Sequence, residues 1–315
     1  MARPNTHGVH IDGLLSNLSI AYMQKQDVFI FPKVFKPVPV DNQSDLYTVF
    51  DKDDFNLDEA QVRKDSTESA GSGYDLSDDN YKCEVYSFHK DVGDQILANA
   101  GKQFNLMRDA TEFVTRKILL KQEREWVNTY LASGVWGETL VGITDFDQIS
   151  EETSAPIEMF SGEMVTMLEA TGVEPNTLVL GYKVFNDLKN HPDFVDRVKY
   201  SSSDAVTEGI MAKLIGVERI LVAKSIVATG KGATKTTSFN FGRNALLCYA
   251  APSPGLLTPS AGYTFSWNYA GVGNVAINKF YIPEKKTTRI EAESAFDCKI
   301  TASELGKLFT LVTEA

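Results

Sequence analysis

The residues of this chain that could do chemistry are four histidines, three cysteines and a few acidic or glycine-rich motifs, and their spacing argues against each chemistry in turn. His7 and His10 stand close together while His89 and His191 are isolated, and neither spacing nor neighbours make a helical zinc motif. Asp51, Asp53 and Asp58 have the outline of a calcium loop. Its sixth position, however, is Asn56 where the tight turn needs Gly, and its twelfth is Val62 where a bidentate carboxylate belongs. Gly230, Lys231, Gly232 and Lys235 lack the earlier glycine and the following Ser or Thr of a phosphate loop, and read as a connector. Gly271, Gly273 and Ala276 fit G-x-G-x-x-A, but the next residues, Ile277 to Ile282, have strand character, whereas a dinucleotide site opens a helix there. No G-x-S-x-G elbow occurs, and no serine or cysteine has a partner in sequence that would activate it. Cys83, Cys248 and Cys298, odd in number and far apart, fit buried reduced thiols better than a disulfide framework. The expectation is a chain without catalytic residues, cofactor or metal, and not an enzyme.

Composition narrows the alternatives. With 315 residues, 43% of them hydrophobic, the chain can bury a substantial core in one or two domains. Its 42 acidic and 31 basic side chains leave a net charge of -11, a sign that repels nucleic acid and excludes a tight duplex binder while allowing passive enclosure. Most of that charge is local: residues 41–82 carry twelve Asp or Glu against four Lys or Arg. Met1 to His10 has no apolar core of signal-peptide length, and no run approaches the roughly 20 apolar residues of a membrane span, so a soluble chain made inside the cell and no membrane partner are expected.

The elements that would position these residues follow from periodicity. Asp12 ahead of Leu14, Leu15, Leu18 and Met23 predicts a short capped helix. Val28 to Val40 is densely apolar, but Pro32, Pro37 and Pro39 forbid a helix and disfavour a central strand. Ser44 to Phe50 and Tyr81 to Val92 read as two strands of a long hairpin with an acidic tip of about 30 residues, far beyond the usual turn. Neither the proline-bearing strap nor this tip is expected to satisfy itself within one compact body, so both should lie on neighbouring copies, anchored by Phe29, Phe31, Phe35, Phe55 and Leu57. From Lys102 to Leu131 there is no Gly or Pro and the apolar residues recur at helical spacing, which predicts one long helix halted by Gly134 and Gly137. Beyond it the pattern predicts a strand at Asn176–Leu180, a helix from Tyr182 to about Lys189 and a helix Ala205–Ile215 capped by Ser203 or Asp204 and ended by Gly216. Strands follow at Val217–Ala223, Ser238–Ala250, Tyr263–Tyr269, Val275–Ile282 and Thr287–Ala292. Interleaved without a regular βαβ rhythm, these elements make an α+β protein.

Four stretches carry a resemblance: LSNLSIAYMQKQDVFIFPKVFKPVPVDNQSDLYTVFDKDDF at Leu15 to Phe55, PNTLVLGYKVFNDLKNHPDFVDRVKYS at Pro175 to Ser201, GVERILVAKS at Gly216 to Ser225 and PSPGLLTPSAGYTFSW at Pro252 to Trp267. Together they resemble the tailed-phage major capsid proteins of HK97-like fold. The resemblance implies an N-terminal arm at 1–40, an extended loop at 41–90, and a peripheral domain with its spine helix at 91–134. It further implies an axial domain at 135–281 and a return to the peripheral domain at 282–315. The implied function is a structural subunit that assembles with copies of itself, as hexamers and pentamers, into an icosahedral shell around double-stranded DNA.

Further expectations follow from it. Because Leu15 comes so soon after Met1, the scaffold is expected to be a separate protein, alongside a portal and a decoration protein. The subunit is expected to assemble in the host cytoplasm and to reside in the virion. Asp53 and Asp54 on the acidic loop are expected to meet basic residues of the next copy, with Arg197 and Lys199 as candidates. Some shells of this fold join a loop lysine to an asparagine; Lys52, Lys64 or Lys82 with Asn274 or Asn278 would be the groups here, but the sequence places no carboxylate to promote the step. Two rivals remain open: an encapsulin-type nanocompartment, which shares the fold, and an enzyme with an unrecognised site.

Overall fold

The structure is a computed structural model that describes residues 28–50, 56–99, 105–199, 206–230, 234–255, 258–268 and 275–314. The predicted helix after Asp12 lies outside the described residues. Two five-stranded sheets share the chain, and one long helix touches both.

The first sheet is built on β13 (Thr287–Ile300). β4 (Glu84–Gly93) pairs antiparallel along one edge from Gly93↔Thr287 to Glu84↔Phe296. The opposite edge is shared in succession by β12 (Ala276–Ile282) and β11 (Gly262–Trp267), and β1 (Lys36–Val40) adds to β11 in parallel. Alternation sends Val92, Ile290 and Ala292 to one face, where they pack on Ala110, Val114 and Ile118 of the long helix.

The second sheet runs β5 (Glu138–Val141), β14 (Gly306–Thr310), β10 (Ala245–Cys248), β6 (Thr177–Gly181) and β7 (Arg219–Ala223). β6 is buried along its whole length, as an interior strand covered on both faces must be. Its alternate residues serve different cores. Leu178 and Leu180 meet Phe160, Met211, Ile215 and Phe309, while Val179 meets Trp126, Phe35 and Leu246 on the other side. Among the described residues, five short or medium α-helices join the long one after the strap's own turn α1 (Phe31–Val34). They are α2 (Asp94–Asn99), α4 (Pro156–Thr171), α5 (Tyr182–Asn190), α6 (Pro192–Lys199) and α7 (Glu208–Ile215), with the long helix numbered α3 (Leu106–Tyr130).

α3 is about 37 Å long at 1.5 Å per residue. Asn105 caps it, its side chain accepting the Arg108 N–H at 3.1 Å, and it ends at Tyr130, ahead of Gly134. The predicted face is buried at Ala110, Val114, Ile118, Trp126, Val127 and Tyr130, but the same stripe also buries Gln122 and Glu123. Glu112 is bridged to Arg108 at 3.1 Å and more loosely to Arg116 at 3.9 Å on the outer surface.

Several expectations are corrected. The second strand of the acidic hairpin is β3 (Leu76–Lys82), paired with β2 (Ser44–Phe50) from Ser44↔Lys82 to Phe50↔Leu76. The predicted strand Tyr81–Val92 therefore divides at Cys83, because its later part pairs with β13 instead. Ser238–Ala250 divides into β9 (Thr236–Phe239) and β10, with Gly242 turning the chain at φ 65°. β13 runs on to Ile300. α7 begins at Glu208 after Thr207, which forms no side-chain cap, whereas Ser203 and Asp204 lie outside the described residues; Gly216 ends it in a left-handed conformation, as expected. Helices α4 and α6 were not anticipated. The division at 281 does not follow the sheets, since β11 and β12 join the sheet of β4 while β14 closes the other one.

Candidate assembly interface

The two segments expected to lie on neighbouring copies behave oppositely. Phe29, Phe31 and Phe35 are buried in the chain's own core, a correction to their expected place between copies. Phe35 packs edge-on to Trp126 and Trp136, with ring centroids 5.8 and 6.2 Å away, and tilted on Tyr130 at 5.1 Å. The prolines fit because Pro32 occupies the first turn of α1, where an N–H is dispensable, and Pro37 and Pro39 lie in an edge strand. Glu123 supplies the missing acceptor. Its Oε2 accepts the N–H groups of Ile30 and Phe31, both at 3.0 Å, and its Oε1 accepts the Ser225 hydroxyl at 3.3 Å. Burial pushes its carboxyl up to about 7, against the pull of those donors. Arg219 adds an outer tie, donating to the Lys33 carbonyl at 3.1 Å.

The acidic hairpin makes no such core. Every described residue from Asn56 to Asn80 is exposed, among them Leu57 at 58% and Val62 at 98%. Asp53, Asp54 and Phe55 lie outside the described residues. The root is tied down: Tyr81 stacks on Phe265 at 4.5 Å, Tyr47 donates to Asp79 at 2.8 Å, and the Lys82 N–H donates to Asp297 at 3.0 Å. The result is a packed root and an exposed polar tip.

Arg197 and Lys199, the expected receivers of that tip, stand at the end of α6. Arg197 is engaged at home by Asp193 at 3.0 Å and by Glu158, whose carboxyls share its charge. Lys199 is exposed. A cationic surface that the sequence did not single out lies elsewhere. Lys117, Leu120, Lys121 and Arg124 of α3 face the hairpin formed by β8 (Ile226–Thr229) and β9 across a groove of about 470 Å³. Its floor includes Ile226, Val227 and Ala228, so it offers apolar contact between basic side chains. Lys117 and Lys121 also lie over the rings of Phe113 and Tyr86, at 5.5 and 5.2 Å, and Lys121 pairs with Glu125.

The remaining reactive groups occupy structural roles. Burial pushes the Cys83 thiol up to about 11 and those of Cys248 and Cys298 to about 12, so each stays protonated near neutral pH. His191 is buried in hydrogen bonds to Ser154 and the Glu151 carbonyl, each at 3.1 Å. Lys307 is buried between Glu138 at 2.6 Å and Glu163 at 2.7 Å, tying β14 to β5 and α4. Among the described residues no group of three or more His, Cys, Asp or Glu is placed to hold a metal, and no helix is long and apolar enough to cross a membrane. Asn278 donates to Glu293 at 3.3 Å across β12 and β13, so a carboxylate does stand beside that asparagine, contrary to the sequence expectation; Asn274 lies outside the described residues.

The two-sheet body, with its long helix packed on both sheets and its strap along one edge, has the HK97-like fold of phage capsid proteins. In sequence the chain is similar to the major capsid protein of Burkholderia phage BcepMu, 26% identical over 271 residues, covering 81% of this chain and 82% of that one. Among solved structures, a phage-related protein of Bordetella bronchiseptica RB50 superposes with a TM-score of 0.72 at 21% identity, over 96% of this chain and 97% of that one. The capsid of cyanophage P-SCSP1u superposes with a TM-score of 0.59 at 8% identity, over 87% and 85% of the two chains. No family model matches the chain.

Proposed function

We propose that this chain is the major shell subunit of a tailed-phage head, assembling as hexamers and pentamers into an icosahedral capsid that encloses double-stranded DNA. The observation that carries the reading is the pairing of a packed two-sheet body of capsid fold with a hairpin tip left entirely on its surface. The tip seats on the next copy, in the groove between α3 and the β8–β9 hairpin. Charge supports that seat. Residues 56–75 hold Asp58, Glu59, Asp65, Glu68 and Asp75 against Arg63 and Lys64, while the groove presents Lys117, Lys121 and Arg124. Leu57, Val62 and Tyr74 supply apolar anchors for its floor. A specific contact typically buries about 1,600 Å², and many modest contacts summed over a closed shell give stability while each stays reversible.

An acidic shell repels the packaged duplex and lets it slide, so the DNA is held without sequence recognition. The same reading calls for a separate scaffolding protein, a portal and a decoration protein, with assembly in the host cytoplasm and residence in the virion. Electron microscopy of the purified chain, with assay of the particle contents, tests it. Closed shells that take up DNA when assembled with portal and scaffold are expected. Particles that hold only a cargo protein would assign the chain to the nanocompartments that share this fold, and small soluble oligomers would defeat the shell reading altogether.

A further inference from the structure

Glu123 belongs to the buried stripe of α3, yet among the described residues it forms no ion pair with a lysine or arginine. Three donors from two other parts of the chain converge on it: the Ile30 and Phe31 N–H groups from the strap and the Ser225 hydroxyl from the connection after β7. The charged groups on the surrounding described elements form no ion pair with it. Lys33 of α1 is exposed and acts on Glu123 only at a distance, Arg219 of β7 donates to the Lys33 carbonyl, and Lys224 pairs with Glu208 at 3.2 Å. Arg124, next in the helix, lines the outer groove.

We propose that Glu123 is a proton-operated latch: in its neutral form the carboxyl keeps residues 29–31 bound along α3, and its ionisation loosens them. The geometry allows a complete set of bonds in the neutral form. A proton on Oε1 is donated to the Ser225 oxygen, while Oε2 still accepts both strap N–H groups. The ionised form keeps its acceptors but buries a charge without a cation beside it, which a low-dielectric site penalises. Opening the strap returns the carboxyl to water and to its ordinary value of 4.5, whereas the closed site holds it near 7. The closed state therefore binds a proton that the open state has lost. The hold is complete below the ordinary value, weakens about tenfold per pH unit as pH rises toward neutrality, and is level above it.

Hydrogen exchange of the strap peptide in the purified full-length chain, corrected for the intrinsic pH dependence of exchange, measures the hold directly. Protection at Ile30 and Phe31 is expected to fall by about tenfold per unit between pH 5 and 7 and then to level off. It should stay flat in Glu123→Gln, which keeps an acceptor and cannot ionise, while a β6 peptide stays flat in both proteins. Ser225→Ala removes the hydroxyl that accepts from the neutral carboxyl and donates to the ionised one, so it should displace the whole curve toward weaker protection, an independent readout if Glu123→Gln does not fold. Wild-type protection that does not change with pH, a Gln variant that follows the wild-type curve, or an unmoved curve in Ser225→Ala would each overturn the latch.

Discussion

The strap at residues 28–40 and the hairpin tip at residues 56–75 look alike in sequence, each a segment too irregular to fold by itself, yet one is core and the other is surface. What separates them is the availability of distant partners within the same chain. The strap finds Glu123 for its N–H groups, an aromatic box of Trp126, Tyr130 and Trp136 for Phe35, and the free edge of β11 for Lys36 to Val40. The tip, dominated by carboxylates, stays exposed at every described residue. Local irregularity therefore signals a need for partners without saying whether they lie in the same molecule.

The sharpest way to break this contrast is to empty the strap's anchor. Phe35→Ala removes a fully buried ring and should destabilise the unassembled subunit by about 3–5 kcal/mol, read from denaturant unfolding. The burial of that ring inside its own subunit makes its loss a cost in folding stability. Lys307→Ala should cost on the order of 2–3 kcal/mol in the same measurement, because Glu163 is left partly buried without its cation while the more exposed Glu138 recovers water. Removing residues 58–73 should leave unfolding of the subunit within about 0.5 kcal/mol of wild type, as expected for exposed residues, and abolish shells in the electron microscope. The smallest effect sharpens the contrast further. Lys117→Glu with Arg124→Glu should leave the subunit's melting unchanged and lower particle yield, since each exposed pair contributes only about 0.2–1 kcal/mol but recurs at every contact. Reversing Asp58 and Glu59 to lysine in the same chain should restore yield; failure of that rescue would move the seat of the tip to another surface.

How much of this was legible in the sequence depended on how local the determining contacts are. The long helix, β6, α5 and the Gly216 stop all announce themselves within a few residues, through a 3.6-residue stripe, a short apolar run or a glycine at the helix end. α4 was missed because Gly162 interrupts a segment with apolar residues on most sides, which blurs its period. The break at Cys83 was missed because the alternation Tyr81, Cys83, Val85 continues across it; only the change of partner from β2 to β13 divides the strand. The strap's burial was hidden for the same reason at longer range, since Glu123 lies 93 residues from Ile30. The candidate groove joins residues of α3 to a hairpin about a hundred residues later, a meeting that no linear pattern records.

Trypsin offers a direct reading of the central contrast, because both segments carry its targets: Lys33 in the strap, Arg63 and Lys64 in the tip. In the unassembled subunit, cleavage should be fast at Arg63 and Lys64 and absent at Lys33, and in purified shells all three should be spared. Rapid cutting of the strap in the free subunit, or undiminished cutting of the tip in the shell, would contradict the assignment of one segment to its own body and the other to a neighbour.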